Sequence, residues 1–229
     1  MNIRSLLLGH SCRICGKIIL GEAYQDWSGN LACKKHNACF CSSCGRYYGS
    51  KAKEMVPGEW LCETCVKNVP DKAGAEKTVS YIRTFYKQQG LDIKSHIMLK
   101  GVTAAQMANL HSAQARGFVE LPPDTDGYHI VVRRYLSRAV LAMVLSHEML
   151  HIWQYEHQIY PPDAICEGFC NLGSYLVMLS IHTPTAMGQI ELLNRDTDIV
   201  YGDGFRKMKE MYEQKGFSSV ITYMQSYKR

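Results

Sequence analysis

Apolar residues organise the second half of the chain. Between Arg138 and about Gln158, Val140, Leu141, Met143, Val144, Leu145, Leu150 and Ile152 nearly encircle a helical wheel, the pattern of a helix buried in a domain core. Ser137 stands where an N-cap belongs, and Pro161 and Pro162 stop the segment. Asp163 then caps a second helix, from about Ala164 to Ile181. Upstream, Asp71 and Gly90 bracket a helix that carries Val79, Ile82 and Tyr86 on one face. Short β-like runs follow at "SHIML", "GFVEL" and "GYHIVV", with a helix over "TAAQMANLHSAQ" between the first two. The end of the chain reads as two further helices around Gly216.

The 229 residues allow one large domain or two small ones, and at 46% hydrophobic and 21% charged they suffice for a globular core. The longest apolar runs, such as "RAVLAMVL", fall well short of the roughly 20 residues that cross a bilayer. The start, "MNIRSLLLGHSC", is too short for a signal-peptide apolar core, so the sequence predicts a cytoplasmic protein with no membrane partner. The formal charge of +5 is spread out, without a basic run that calls for nucleic acid.

Eight of the ten cysteines fall between residues 12 and 65, and seven of them, with His36, repeat. Cys12-x2-Cys15 is followed after 17 residues by Cys33-x2-His36; Cys41-x2-Cys44 is followed after 17 residues by Cys62-x2-Cys65. A shift of 29 superposes the two sets and carries Gly16 onto Gly45 and Gly29 onto Gly58. Each copy offers four zinc ligands, the number a closed tetrahedral site needs. The first structural site uses Cys12, Cys15, Cys33 and His36, the second Cys41, Cys44, Cys62 and Cys65. An alternative frame pairs His36 with Cys39 and leaves Cys33 spare; the repeat favours Cys33, with Cys39 a small apolar filler. So small a segment could hardly fold without its metal.

"VLSHEMLHIWQ", residues Val144 to Gln154, contains His147, Glu148 and His151 in the order His-Glu-x-x-His. Four residues apart on a helix, the two imidazoles lie on one face and reach one Zn2+, while Glu148 points about 100° away, where it can contact water without ligating. The third ligand is sought downstream among Glu156, His157, Asp163 and Glu167, and Glu167 is favoured, because a proline turn can fold its helix back on the first. Cys166 and Cys170 flank it at i, i+4; a ligand role is the alternative for them, and small core packing is favoured. In hydrolysis Glu148 is the catalytic base for water and returns the proton to the leaving amine. Tyr201, Arg206 and His182 are the candidate donors to the oxyanion.

The segments "CRICGKIILGEAYQDWSGNLACKKH" and "CSSCGRYYGSKAKEMVPGEWLCETC" resemble a LIM domain, a double zinc finger that binds protein partners. They depart from it in placing Cys33 before His36 and in the longer connector Asn37 to Phe40. "LSHEMLHIWQ", "CEGFCNLGSYLVM" and "YGDGFR" resemble the peptidase domain of the DA-one LIM peptidases, known from plants as organ-size regulators. The resemblance implies an α+β chain: a LIM-like double finger over 1–68, then a mainly helical zincin-like metallopeptidase domain with a small β-sheet over 69–229, of which 69–90 is a linker helix. It implies one catalytic and two structural Zn2+ ions, His147, His151 and Glu167 as catalytic-zinc ligands, and Glu148 as the catalytic glutamate. A protein or peptide is the implied substrate, and a protein partner or substrate is held by the finger module. Two other readings compete: a non-enzymatic zinc-binding adaptor, and a SprT-like DNA-associated metalloprotease with His157 as third ligand.

Overall fold

The computed structural model describes residues 2–5, 9–121 and 127–229. Leu6, Leu7 and Leu8, read above as too short for a signal-peptide core, lie outside them. Half of the chain is helix and 17% strand, with small sheets, so the class is α+β. It divides into two compact units, Met1–Pro70 with Tyr135–Val140, and Asp71–Arg134 with Leu141–Arg229.

In the first unit, β1 (Asn2–Ser5), β2 (Glu22–Gln25) and β3 (Leu31–Cys33) form an antiparallel sheet in that order, followed by a 3-10 turn at Lys34–His36. β4 (Lys53–Val56) and β5 (Glu59–Leu61) form a hairpin that leads into the short helix α1 (Glu63–Lys67). The duplication is written into the backbone. The isolated bridges Ser11↔Ile18 and Phe40↔Tyr47 are 29 residues apart. Cys12 N–H donates to the Lys17 carbonyl at 2.9 Å, and Cys41 N–H to the Arg46 carbonyl at 2.7 Å. The chain then turns at Gly16 (φ 71°) and Gly45 (φ 74°), a left-handed conformation that costs glycine little and other residues more. Buried Asp26 links the copies: it accepts from Ser28 and Asn30 in its own loop and from Tyr47 N–H at 2.7 Å in the next. Within this unit, Ser137 N–H donates to Ser43 Oγ at 2.8 Å and Arg138 N–H to the Asn68 carbonyl at 2.8 Å.

The second unit begins with α2 (Lys72–Gln88), capped by Asp71 and buried through Val79, Ile82 and Tyr86. β6 (Ile97–Val102), α3 (Ala104–Leu110), β7 (Gly117–Val119) and β8 (Tyr128–Arg133) follow. The sheet order is β6-β8-β7, β6 parallel to β8 and β7 antiparallel, so β7 is an edge strand. α3 starts with a Thr103/Gln106 capping box and stops at Leu110, several residues before the sequence suggests, because His111 leaves helical geometry (φ −144°, ψ −80°).

The remaining elements are α4 (Arg138–Glu156), α5 (Asp163–Ile181), α6 (Pro184–Arg195), a π-turn at Ile199–Asp203, α7 (Gly204–Lys215) and α8 (Phe217–Gln225). Pro162, not Asp163, is the N-cap of α5, and Asp163 sits one residue inside, where its charge suits the helix dipole. α6 is an element the apolar pattern does not predict, although Thr183 caps it and Pro184 opens it. α5 is long and apolar enough to cross a membrane by composition, yet it packs against α6, the π-turn and α7 and carries Glu167 and Asn171. Glycines permit that packing: a Cβ on Gly168 would run into the Gly204 carbonyl, and one on Gly204 into the Ala164 carbonyl.

Candidate metal centres

The repeat brings its ligands together. The metal-ligand atoms of Cys12, Cys15, Cys33 and His36 lie within 4.8 Å of one another, and so do those of Cys41, Cys44, Cys62 and Cys65. His36 presents Nδ1, 3.5 Å from Cys12 Sγ and 3.3 Å from Cys33 Sγ, and Cys44 and Cys62 sulfurs are 3.9 Å apart. A tetrahedral ion with sulfur at about 2.3 Å and nitrogen at about 2.0–2.1 Å sets edges of about 3.6 Å (S···N) and about 3.8 Å (S···S). Both clusters therefore fit a metal ion of zinc's dimensions. Cys39 stays outside, beside the Tyr48 hydroxyl, so the alternative frame is not assembled.

The second cluster is buried at all four cysteines, and such crowded thiols cannot all ionise unaided. Hydrogen bonds from Cys44 and Cys65 draw Cys41 down to about 6, against the opposing contact with Cys62. Contacts with Cys41 and its neighbours push Cys65 far up. A divalent cation removes this conflict by taking four thiolates at once. Arg46, which the sequence reading missed, supports it: Nε lies 3.4 Å from Cys44 Sγ and Nη2 3.6 Å from Cys62 Sγ, with the guanidinium over Trp27.

The third centre lies in the second unit. α4 and α5 run antiparallel, since Gln154 meets Cys166, His147 meets Asn171 and the Met143 carbonyl meets Ser174. This puts Glu167 across from the histidines. Its carboxylate spans the two rings, Oε2 at 3.0 Å from His147 Nε2 and Oε1 at 3.7 Å from His151 Nε2. A cavity of about 620 Å³ opens there, lined by His147, Glu148, His151, Glu167, Asn171 and Tyr201, with β7 along the other wall. Gly117 on β7 faces α4 closely: a Cβ there would stand 2.5 Å from Val144 Cγ1 and 3.5 Å from Glu148 Cγ.

The two carboxylates are held differently. Burial raises the Glu148 carboxyl, only partly offset by the nearby histidines. Burial also works against ionisation of Glu167, but the hydrogen bond and charge of His147, with His151 behind it, carry its carboxyl below the usual value. A raised acid beside a lowered one suits a proton-transfer group next to a ligand.

Asn171 orients His147. Its Nδ2 donates to the Tyr201 carbonyl at 3.2 Å, which turns Oδ1 toward His147 Nδ1 at 3.0 Å. Nδ1–H then donates to Oδ1, and the Nε2 lone pair faces the cleft. Asn171, which the sequence reading missed, lies four residues after Glu167 on the same helix face.

The other candidates are elsewhere. Glu156 accepts from Lys94 and Ser95 backbone N–H groups, His157 Nδ1 bonds the Trp153 carbonyl at 2.8 Å, and Asp163 opens α5. Arg206 donates to the Asp196 carbonyl and Asp203, and His182 ends α5 at φ 48°; neither lines the cavity, whereas Tyr201 does. Cys166 and Cys170 are not plain apolar filler. Their sulfurs lie 3.6 and 3.5 Å from His151 Nδ1, and His151 shares one donor set with His147 and Cys170 and another with Cys166 and Glu167, each within 4.8 Å. The hydrogen bond of Cys170 draws Cys166 down to about 5 and, despite burial, His151 helps. Comparison of the chain with models of protein families, with curated proteins and with solved structures finds no match.

Proposed function

We propose that the chain is a zinc-dependent peptidase, related to the DA-one family, whose LIM-like first unit binds a partner or substrate. The observation that carries this reading is the Glu167 carboxylate spanning Nε2 of His147 and His151, beside Glu148, at the wall of an open cavity. His147, His151 and Glu167 would hold the catalytic zinc, and the two finger clusters the structural ions. Zinc in such a site polarises a carbonyl and makes water acidic enough to attack it at neutral pH.

The side chains perform the rest. Glu148, ionised, takes a proton from a water in the cleft and passes it to the leaving amine. Its buried setting favours holding that proton between the two steps. Asn171 keeps His147 in the tautomer that ligates. Tyr201, on the π-turn, is the remaining candidate donor to the oxyanion. An extended peptide would pair with edge strand β7 and so cross the cavity beside Glu148.

The test is Glu148→Gln, which keeps shape and zinc and removes the base. Peptide cleavage is expected to fall at least ~100-fold. Cleavage at the wild-type rate with zinc still bound would overturn the mechanism, and an equally inactive wild-type protein across a broad peptide library would favour an adaptor.

A further inference from the structure

The proposed function uses one nitrogen of His151. The other, Nδ1, faces the sulfurs of Cys166 at 3.6 Å and Cys170 at 3.5 Å. The same sulfurs meet the buried side-chain amide of Gln154: Oε1 lies 3.2 Å from Cys166 Sγ and Nε2 3.2 Å from Cys170 Sγ. Two sulfurs and an imidazole nitrogen thus gather behind the cleft, with an amide oxygen beside them. The two sulfur–nitrogen separations match those around His36 in the first finger, 3.5 and 3.3 Å, and the about 3.6 Å edge of a tetrahedral S–N site. The pair is poorly placed for a disulfide. Side chains four apart on a helix have Cβ atoms about 5–6 Å apart, and a disulfide needs about 3.8 Å.

We propose that Cys166, Cys170 and Nδ1 of His151 form a separate site for a thiophilic cation, which competes with the His147–Glu167 site for the imidazole of His151. Binding exchanges protons for metal: both thiols lose a proton, two sulfur–metal bonds form, and nothing is oxidised. A neutral imidazole has one lone pair. When Nδ1 takes the cation, Nε2 carries the proton and no longer serves the cleft, so an ion behind the histidine loosens the one in front of it. Ligand softness separates the two sites: sulfur selects soft cations, and the His-His-carboxylate set suits zinc.

Cadmium(II) is the probe, added to the zinc-loaded full chain, and its thiolate charge-transfer absorption is read together with bound cadmium per chain. Relative to wild type, Cys166→Ser/Cys170→Ser is expected to bind about one cadmium fewer and to lose the matching absorption. His147→Ala, which removes a cleft ligand and none of the three proposed here, is expected to keep both. Equal cadmium content and absorption in wild type and the double variant would overturn the proposal, as would loss of the signal in His147→Ala. Cys170 is fully buried. If the double variant fails to fold, Cys166→Ser alone is expected to bind cadmium at least ~10-fold more weakly, and an unchanged affinity overturns the proposal. Cadmium uptake should be the same in Glu148→Gln, so the result stands apart from whether the protein cleaves peptides.

Discussion

The second finger and the cleft both gather metal-ligating side chains, to opposite ends. Cys41, Cys44, Cys62 and Cys65 surround one point, all buried, with Arg46 beside the sulfurs of Cys44 and Cys62. His147, His151 and Glu167 offer three donors and leave one side open to a cavity of about 620 Å³. Four donors without an opening make a site that holds structure, and three donors with an opening leave room for water and substrate. The supporting groups differ accordingly. Arg46 offers charge to thiolates, whereas Asn171 offers a neutral acceptor that fixes a tautomer.

Perturbing each centre should therefore give different kinds of loss. Cys44→Ser is expected to have the largest effect, since a structural zinc of this kind stabilises by about 10–16 kcal/mol. Trp27 and Trp60 fluorescence should report an unfolded first unit while the helical circular dichroism of the second persists; an intact first unit would deny that its site is structural. Glu148→Gln comes next, with ~100- to 10,000-fold slower cleavage and no loss of melting temperature. Gly204→Ala, which thrusts a methyl at the Ala164 carbonyl, should destabilise the second unit by about 1–3 kcal/mol in denaturant titration and leave finger zinc untouched. Asn171→Ala should weaken cleft zinc ~10- to 100-fold in competition with a chelator, the fingers again unaffected. An unchanged affinity would mean that Asn171 does not hold His147.

Much of this was open to a reader of the sequence because it is local. The eight finger ligands sit in pairs three apart, and His147 and His151 share a helical turn, so spacing alone groups them. Glu167 needs one further step, the reversal at Pro161 and Pro162. What spacing cannot supply is the register between α4 and α5. That register turns Cys166 and Cys170 toward His151 instead of into plain apolar packing, and it brings Asn171 to His147. Arg46 was hidden for a related reason, since a lone arginine carries no mark of the sulfurs it will meet. α6 escaped because its apolar stripe is thin, with Ile190 and Leu193 among few buried side chains.

The most direct measurement is zinc per chain by elemental analysis, on wild type and Glu167→Ala together. About three ions falling to about two is the predicted result: two closed sites intact and an open one that loses its carboxylate ligand. About two ions in both proteins would contradict the account, because the cleft would then hold no zinc for Glu167 to ligate.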